Sequence, residues 1–137
     1  MSTAITTVEA ALQRGAAIRP AVGGFPHLAA SLREAGVSRC HVVVPSNAFV
    51  YFTTDGPVVM QHEPIASGIA DVAPFDEPAL VAAIRTDQAG ESAFPDFIAA
   101  IWAAGVLTYD VDLTASTCTY HGADGASYVE RFELVAI

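Results

Sequence analysis

The sequence contains no lysine. That removes Schiff-base chemistry and the lysine-bearing phosphate loop. Cysteine occurs only at Cys40 and Cys118, too few for a disulfide framework. Positive charge is scarce: six arginines stand against fifteen acids, a net charge of −9. Such a surface repels phosphate backbones, so no nucleic-acid partner is expected. No apolar run approaches the ~20 residues that span a bilayer, and no membrane contact is expected. Met1-Ser2-Thr3-Ala4 leads into an amphipathic stretch and not into a basic flank with an apolar core, so a cytoplasmic protein with reduced thiols is expected.

What is present is apolar residue and repetition. A chain of 137 residues that is 53% hydrophobic can bury the core of one compact domain. Shifted by 69 positions, Phe25-Pro26 falls on Phe94-Pro95, Ala35-Gly36-Val37 on Ala104-Gly105-Val106, Tyr51 on Tyr120, and Asp55-Gly56 on Asp124-Gly125; residues 25–56 and 94–125 share 10 of 32 identities. Chance in so alanine-rich a chain gives roughly two or three. Two repeats, about 4–62 and 76–135, joined by a connector at 63–75, are therefore expected within a single domain. The charge is divided unequally between them. Residues 1–68 are neutral, with four arginines and four acids, whereas 69–137 carry two arginines and eleven acids.

Each repeat reads helix, helix, strand, strand, tight turn, strand. Apolar spacing predicts helices over 5–17, with Val8, Ala11, Leu12 and Ala16 inward, and over 76–86, with Leu80, Val81 and Ile84 inward. The second helix of each repeat starts at Phe-Pro, where proline suits the first turn. It stops at Ala-Gly-Val, with glycine as the left-handed residue past the helix end. Alternation then predicts strands, with Cys40, Val42 and Val44 on the apolar side of one and Tyr109, Val111 and Leu113 on that of its counterpart. Strands 48–54 and 57–61 flank Asp55-Gly56, and 117–121 and 127–133 flank Asp124-Gly125. Asp-Gly predicts a hairpin whose two turn residues take positive φ. Ala48-Phe49-Val50-Tyr51-Phe52 is apolar on both sides and requires cover on both. The expected fold is α+β: four helices packed on a mostly antiparallel six-stranded sheet with a pseudo-twofold axis, and a homodimer contact through the sheet.

No motif supplies a complete catalytic constellation. Cys40 and His41 fall on opposite faces of a strand, and Cys118 and His121 also diverge, so no metal site and no cofactor is expected. Ser31 reads as an ordinary helix residue. Arg19, Gly23 and Gly24 precede a helix and form a candidate anion-binding turn, or simply a change of chain direction. Arg85, Asp87 and Gln88 form a candidate polar-ligand set, or a cap on their own helix. His41 and Asp110 occupy equivalent positions; if the pseudo-axis passes between their strands, they can meet as an acid–base pair.

Gly23-Gly24-Phe25-Pro26, Gly56-Pro57-Val58-Val59-Met60-Gln61, Arg85-Thr86-Asp87-Gln88-Ala89-Gly90, and Ala104-Gly105-Val106 through Tyr109-Asp110-Val111-Asp112 together resemble a family of small bacterial and prophage proteins labelled "phage envelope protein". The resemblance covers nearly the whole chain. It implies one small α+β domain and no particular reaction, cofactor or catalytic residue.

Three functions are consistent with these features. The first is a non-enzymatic binding or protein-interaction module, acting as a homodimer or with another protein or small-molecule partner. The second is an enzyme or small-ligand binder with a site between the repeats near His41, Asp110, Arg85 and Asp87. The third is an acidic mimic of nucleic acid.

Overall fold

The computed structural model describes residues 2–137. Helices α1 (Thr3–Ile18) and α2 (Phe25–Glu34) lead into strands β1 (Val37–Val43), β2 (Ala48–Thr53) and β3 (Gly56–Gln61). Helices α3 (Glu77–Gln88) and α4 (Phe94–Ala103) lead into β4 (Thr108–Asp112), β5 (Thr117–His121) and β6 (Ser127–Arg131). The helix-helix-strand pattern thus occurs twice. All strands join one antiparallel sheet in the order β3-β2-β1-β4-β5-β6.

The repeats meet where β1 pairs with β4. Cys40 opposes Val111 there and Val42 opposes Tyr109. The 69-residue shift exchanges these two pairs, so a pseudo-twofold axis passes between them. Helix starts follow local chemistry. Ser2 Oγ accepts from Ile5 N at 3.1 Å, Asp76 Oδ1 from Ala79 N at 3.1 Å, and Asp96 Oδ2 from Ala93 N at 3.2 Å, each using donors that the first helical turn leaves free. The aromatic residues that open α2 and α4 lock the repeats together. Phe25 stacks edge-on against Phe132, with centroids 5.1 Å apart, and Phe94 against Phe49 at 5.6 Å.

Several local expectations change. The inner stripe of α1 is Ala4, Val8, Ala11 and Gly15. Ala16 is exposed, because Gly15 sits against Leu28, where an added Cβ would lie 2.6 Å from Leu28 Cδ1. Ser31 is no ordinary helix residue: it is buried, and its Oγ donates to Ala11 O at 2.7 Å, tying α2 to α1. At Asp55-Gly56 only Gly56 takes positive φ, at 114°. Thr54 and Asp55 form the tight turn, and Thr53 Oγ1 accepts from Asp55 N at 3.0 Å and donates to Gly56 O at 2.7 Å. In the second repeat Asp124 (φ 57°) and Gly125 (φ 77°) both take it, within a longer loop. The last strand ends at Arg131, two residues early.

Among the described residues, helices pack on one side of the sheet only. Phe49, Tyr51, Val58, Cys40, Val42, Tyr109, Val111, Cys118 and Tyr120 point inward and join the helices in one core. Alternation sends the intervening residues to the opposite face, which no helix of the described residues covers.

Candidate functional site

Strand register arranges the open face in three rows. The first runs Pro57, Phe52, Arg39, Asp112, Thr117, Arg131; the middle Val59, Val50, His41, Asp110, Thr119, Val129; the third Gln61, Ala48, Val43, Thr108, His121, Ser127. Repeat one supplies mostly apolar groups and repeat two mostly polar ones. Val59 and Val129 are 68% and 54% exposed, which is unusual for valine in a strand.

His41 and Asp110 stand at the centre, as cross-strand partners on the pseudo-axis. His41 Nδ1 lies 2.8 Å from Asp110 Oδ1. A carboxylate can only accept, so Nδ1 is the donor of this contact, the tautomer that leaves Nε2 of a neutral imidazole as an acceptor. The other oxygen of Asp110 lies 3.5 Å from His121 Nε2. One carboxylate is therefore flanked by two imidazoles. The alternation that places His121 one row away from Asp110 on the same face was the signal for this third member, which the sequence reading did not join to the pair.

Arg39, Asp112 and Arg131 complete the charged groups of this face. Among the described residues none of the three forms a salt bridge. The guanidinium of Arg39 lies 4.3 Å from the ring centroid of Phe52, and Asp112 Oδ1 accepts from Thr114 N and Ala115 N at 2.9 and 2.8 Å.

The remaining candidates lie on the other side of the sheet. The α1–α2 loop meets the α3–α4 loop: Gly23 N donates to Gln88 O at 3.1 Å, and the Arg19 side chain covers Gly24 so closely that a Cβ there would lie 2.4 Å from Arg19 Cγ. Burial pushes the Asp87 carboxyl up, against the opposing pull of Arg19 and Ser92. Arg85 Nη1 reaches Gln88 Oε1 at 2.8 Å and Glu130 Oε1 at 2.5 Å. Burial pushes the Glu130 carboxyl up, but hydrogen bonds from Arg85 and Tyr128 outweigh it and hold it low.

So Arg19, Gly23, Gly24, Arg85, Asp87 and Gln88 form one neighbourhood, in which Arg85 and Gln88 bond each other and both reach Glu130. Glu130 was missed as the partner of Arg85; its register opposite Cys118 marks it as an acid on the inner face. The expected convergence of His41, Asp110, Arg85 and Asp87 does not occur, because the sheet separates the first two from the last two. Cys40 points inward and His41 outward, as do Cys118 and His121, and among the described residues no group of three His, Cys, Asp or Glu side chains is arranged to hold a metal. Among the same residues no helix is long and apolar enough to cross a membrane.

Chemically, the open-face cluster offers an oriented imidazole beside a carboxylate, set in a broad, partly apolar surface. A protein of Mycobacterium bovis and one of Mycobacterium tuberculosis, both described as uncharacterised, are each 47% identical to this chain over 135 residues, covering 98% of it and 82% of their own length. The family model described as "Protein of unknown function (DUF1398)" matches residues 19–130, and the chain belongs to that family.

Proposed function

We propose that this protein is a non-enzymatic protein-interaction module whose contact surface is the open face of the sheet, and that it pairs there with a second copy of itself. The observation that carries this reading is the contrast between that face and the rest of the chain. Two of the six arginines and two of the fifteen acids lie on it. The other four arginines and thirteen acids, which make up the whole net charge of −9, lie elsewhere. Two copies of so acidic a protein repel each other except where local charge balances, and the balanced area also holds exposed valine.

The extent of the face sets the strength of the contact. Six strands at a spacing of about 4.8 Å and a length of about 17 Å give a footprint of roughly 500 Å² per copy. Burying about 1,000 Å² in total lies at the low end of specific interfaces. The dimer is therefore weak and concentration-dependent. Light scattering after size exclusion, loaded from about 10 to 200 µM, tests this. A mass rising from one chain towards two is expected; one chain at every concentration removes the reading.

A second reading treats the His41–Asp110 contact of 2.8 Å as an acid–base unit. Asp110 orients the imidazole as such chemistry requires. Among the described residues no nucleophile is hydrogen-bonded to either side chain, and the face is broad, so the interaction reading is preferred. The mimic reading requires one acidic face. Here Asp76 and Asp96 cap helices, Asp110 and Asp112 lie on the open face, and Glu130 binds Arg85 on the inner one. A place in a phage envelope, the label of the resembled family, is compatible with a self-associating module, and its support is that resemblance.

A further inference from the structure

Resting on the dimer reading above, we infer that the two copies are related by a twofold axis running along β1 and β4, so that Arg39 of each faces the partner's Asp112 and His41 of each faces the partner's Asp110. Two face-to-face arrangements keep the strands of both sheets roughly aligned, as stacked sheets prefer. With the axis across the strands, each strand lies over its own copy. His41 then meets the partner's His41 and Asp110 the partner's Asp110, which sets two carboxylates against each other at the centre. With the axis along the strands, left and right exchange. Because Arg39 opposes Asp112 and His41 opposes Asp110 within one sheet, the exchange sets each basic group over an acidic one. Val59 and Val129 hold opposite edge positions in the middle row, so the same exchange sets valine over valine.

The geometry tolerates the usual twist between sheets. Both charged pairs lie within roughly 7 Å of the centre, so a crossing of about 30° displaces them by less than about 4 Å. An arginine side chain and an aspartate together bridge layers spaced about 10 Å apart. The arrangement also gives partners to Arg39 and Asp112, which form no salt bridge among the described residues. The His41–Asp110 cluster becomes a shared feature, with each carboxylate facing imidazoles from both copies.

Charge reversal with mixing tests the orientation. Arg39→Asp and Asp112→Arg each create like-charge contacts at two symmetry-related places. Each variant alone is expected to weaken the dimer by about tenfold or more. Mixed together, the two variants are expected to form a heterodimer at least as tight as wild type, because every acid of one chain then faces an arginine of the other. Native mass spectrometry of the mixture, with one chain isotope-labelled, reads this directly. Asp112 also caps the β4–β5 turn. If circular dichroism shows Asp112→Arg unfolded, His41→Glu mixed with Asp110→Arg probes the same crossing at the centre. A wild-type dimer that these substitutions do not weaken, or mixtures with no preference for the heterodimer, overturns the orientation while leaving the dimer intact. A wild-type chain that never dimerises overturns the underlying reading instead.

Discussion

His41 and Asp110 are the same position in the two repeats, and they are also each other's partner, with Nδ1 2.8 Å from Oδ1. A position on a twofold axis pairs with its own copy. If both copies carried the same charge they would repel across the strand pair. Once the repeats lie in one chain the two sites can differ, and here one is an imidazole and the other a carboxylate. The open-face cluster is thus a local result of the duplication.

The pair is worth little to the monomer. His41 and Asp110 are 34% and 26% exposed at the side chain, where solvent screens much of the attraction. Asp110→Asn is expected to lower stability in urea by less than about 1 kcal/mol. It is also expected to release the His41 tautomer, visible in the ring-nitrogen shifts by NMR. A loss above about 2 kcal/mol would mean that the pair is a buried structural element, contrary to its place on the open face.

The two glycines that end α2 and α4 are equivalent in sequence but not in surroundings. Gly36 (φ 91°) and Gly105 (φ 88°) both require the left-handed region. A Cβ on Gly36 would lie 3.3 Å from the side-chain Oγ1 of Thr54, whereas on Gly105 it would lie 2.5 Å from Pro74 O and 2.7 Å from Ala73 O. Side chains rotate away and backbone carbonyls of a packed connector do not. Gly36→Ala is expected to cost about 1–2 kcal/mol, from backbone strain alone. Gly105→Ala is expected to cost more than about 3 kcal/mol, since strain and clash add. Equal losses in urea melts would contradict the placement of residues 73–74 against the end of α4.

This contrast shows what the sequence made legible. Helix ends, strand alternation and the two-fold repeat are encoded in short-range chemistry, so Ala-Gly-Val and the Phe-Pro starts could be read directly. The approach of 73–74 to Gly105 is a long-range contact of a connector with no periodicity, and no local signal announces it. The same division holds at the sites. The meeting of His41 and Asp110 followed from symmetry. The inward turn of Glu130 onto Arg85 was available only through its register, and the joining of the Arg19–Gly24 loop to Gln88 depends on how the two helix pairs pack. The apolar strand 48–52 was legible, but its residues are shared between the core and an open face and not between two helix layers.

Ser116 holds a conformation better suited to another residue. It is equivalent to Asn47, and the two have φ of 59° and 56°. Asparagine tolerates this region and serine less so. Asn47 also ties down the start of the connector, its Nδ2 donating to Glu63 O at 2.9 Å, whereas among the described residues the buried Ser116 Oγ has no partner. Ser116→Gly is expected to raise stability by about 0.5–1 kcal/mol through relief of both faults. Asn47→Ala is expected to lower it by about 1–3 kcal/mol. Denaturant midpoints at constant slope check both; a destabilised Ser116→Gly would show that the hydroxyl has a partner after all.

The inner face of the sheet sets an alkaline limit on the fold. Burial pushes the thiols of Cys40 and Cys118 from 9.0 up to about 12. It also pushes the hydroxyls of Tyr51, Tyr109 and Tyr120 above their ordinary value. All five groups hold their protons in the folded chain at a pH where the unfolded chain has released them. Their contribution is complete below about pH 9 and is lost as pH rises towards the folded values. Each group that ionises only on unfolding removes about 1.4 kcal/mol per pH unit above its unfolded pKa. Two thiols from pH 9 and three phenols from pH 10 together remove roughly 9 kcal/mol by pH 11, comparable to the whole stability of a typical domain. The protein is expected to unfold cooperatively near pH 11, with loss of circular dichroism coinciding with tyrosinate absorbance at 295 nm. Of the four tyrosines, Tyr128 lies outside the buried set, but its hydrogen bond to Glu130 also raises its hydroxyl, so most of that absorbance is expected to appear with unfolding. At pH 8 neither thiol is expected to react with a thiol reagent until denaturant is added. Prompt reaction of both thiols at pH 8, or three tyrosinates forming while the dichroism stays native, would contradict the burial of this layer.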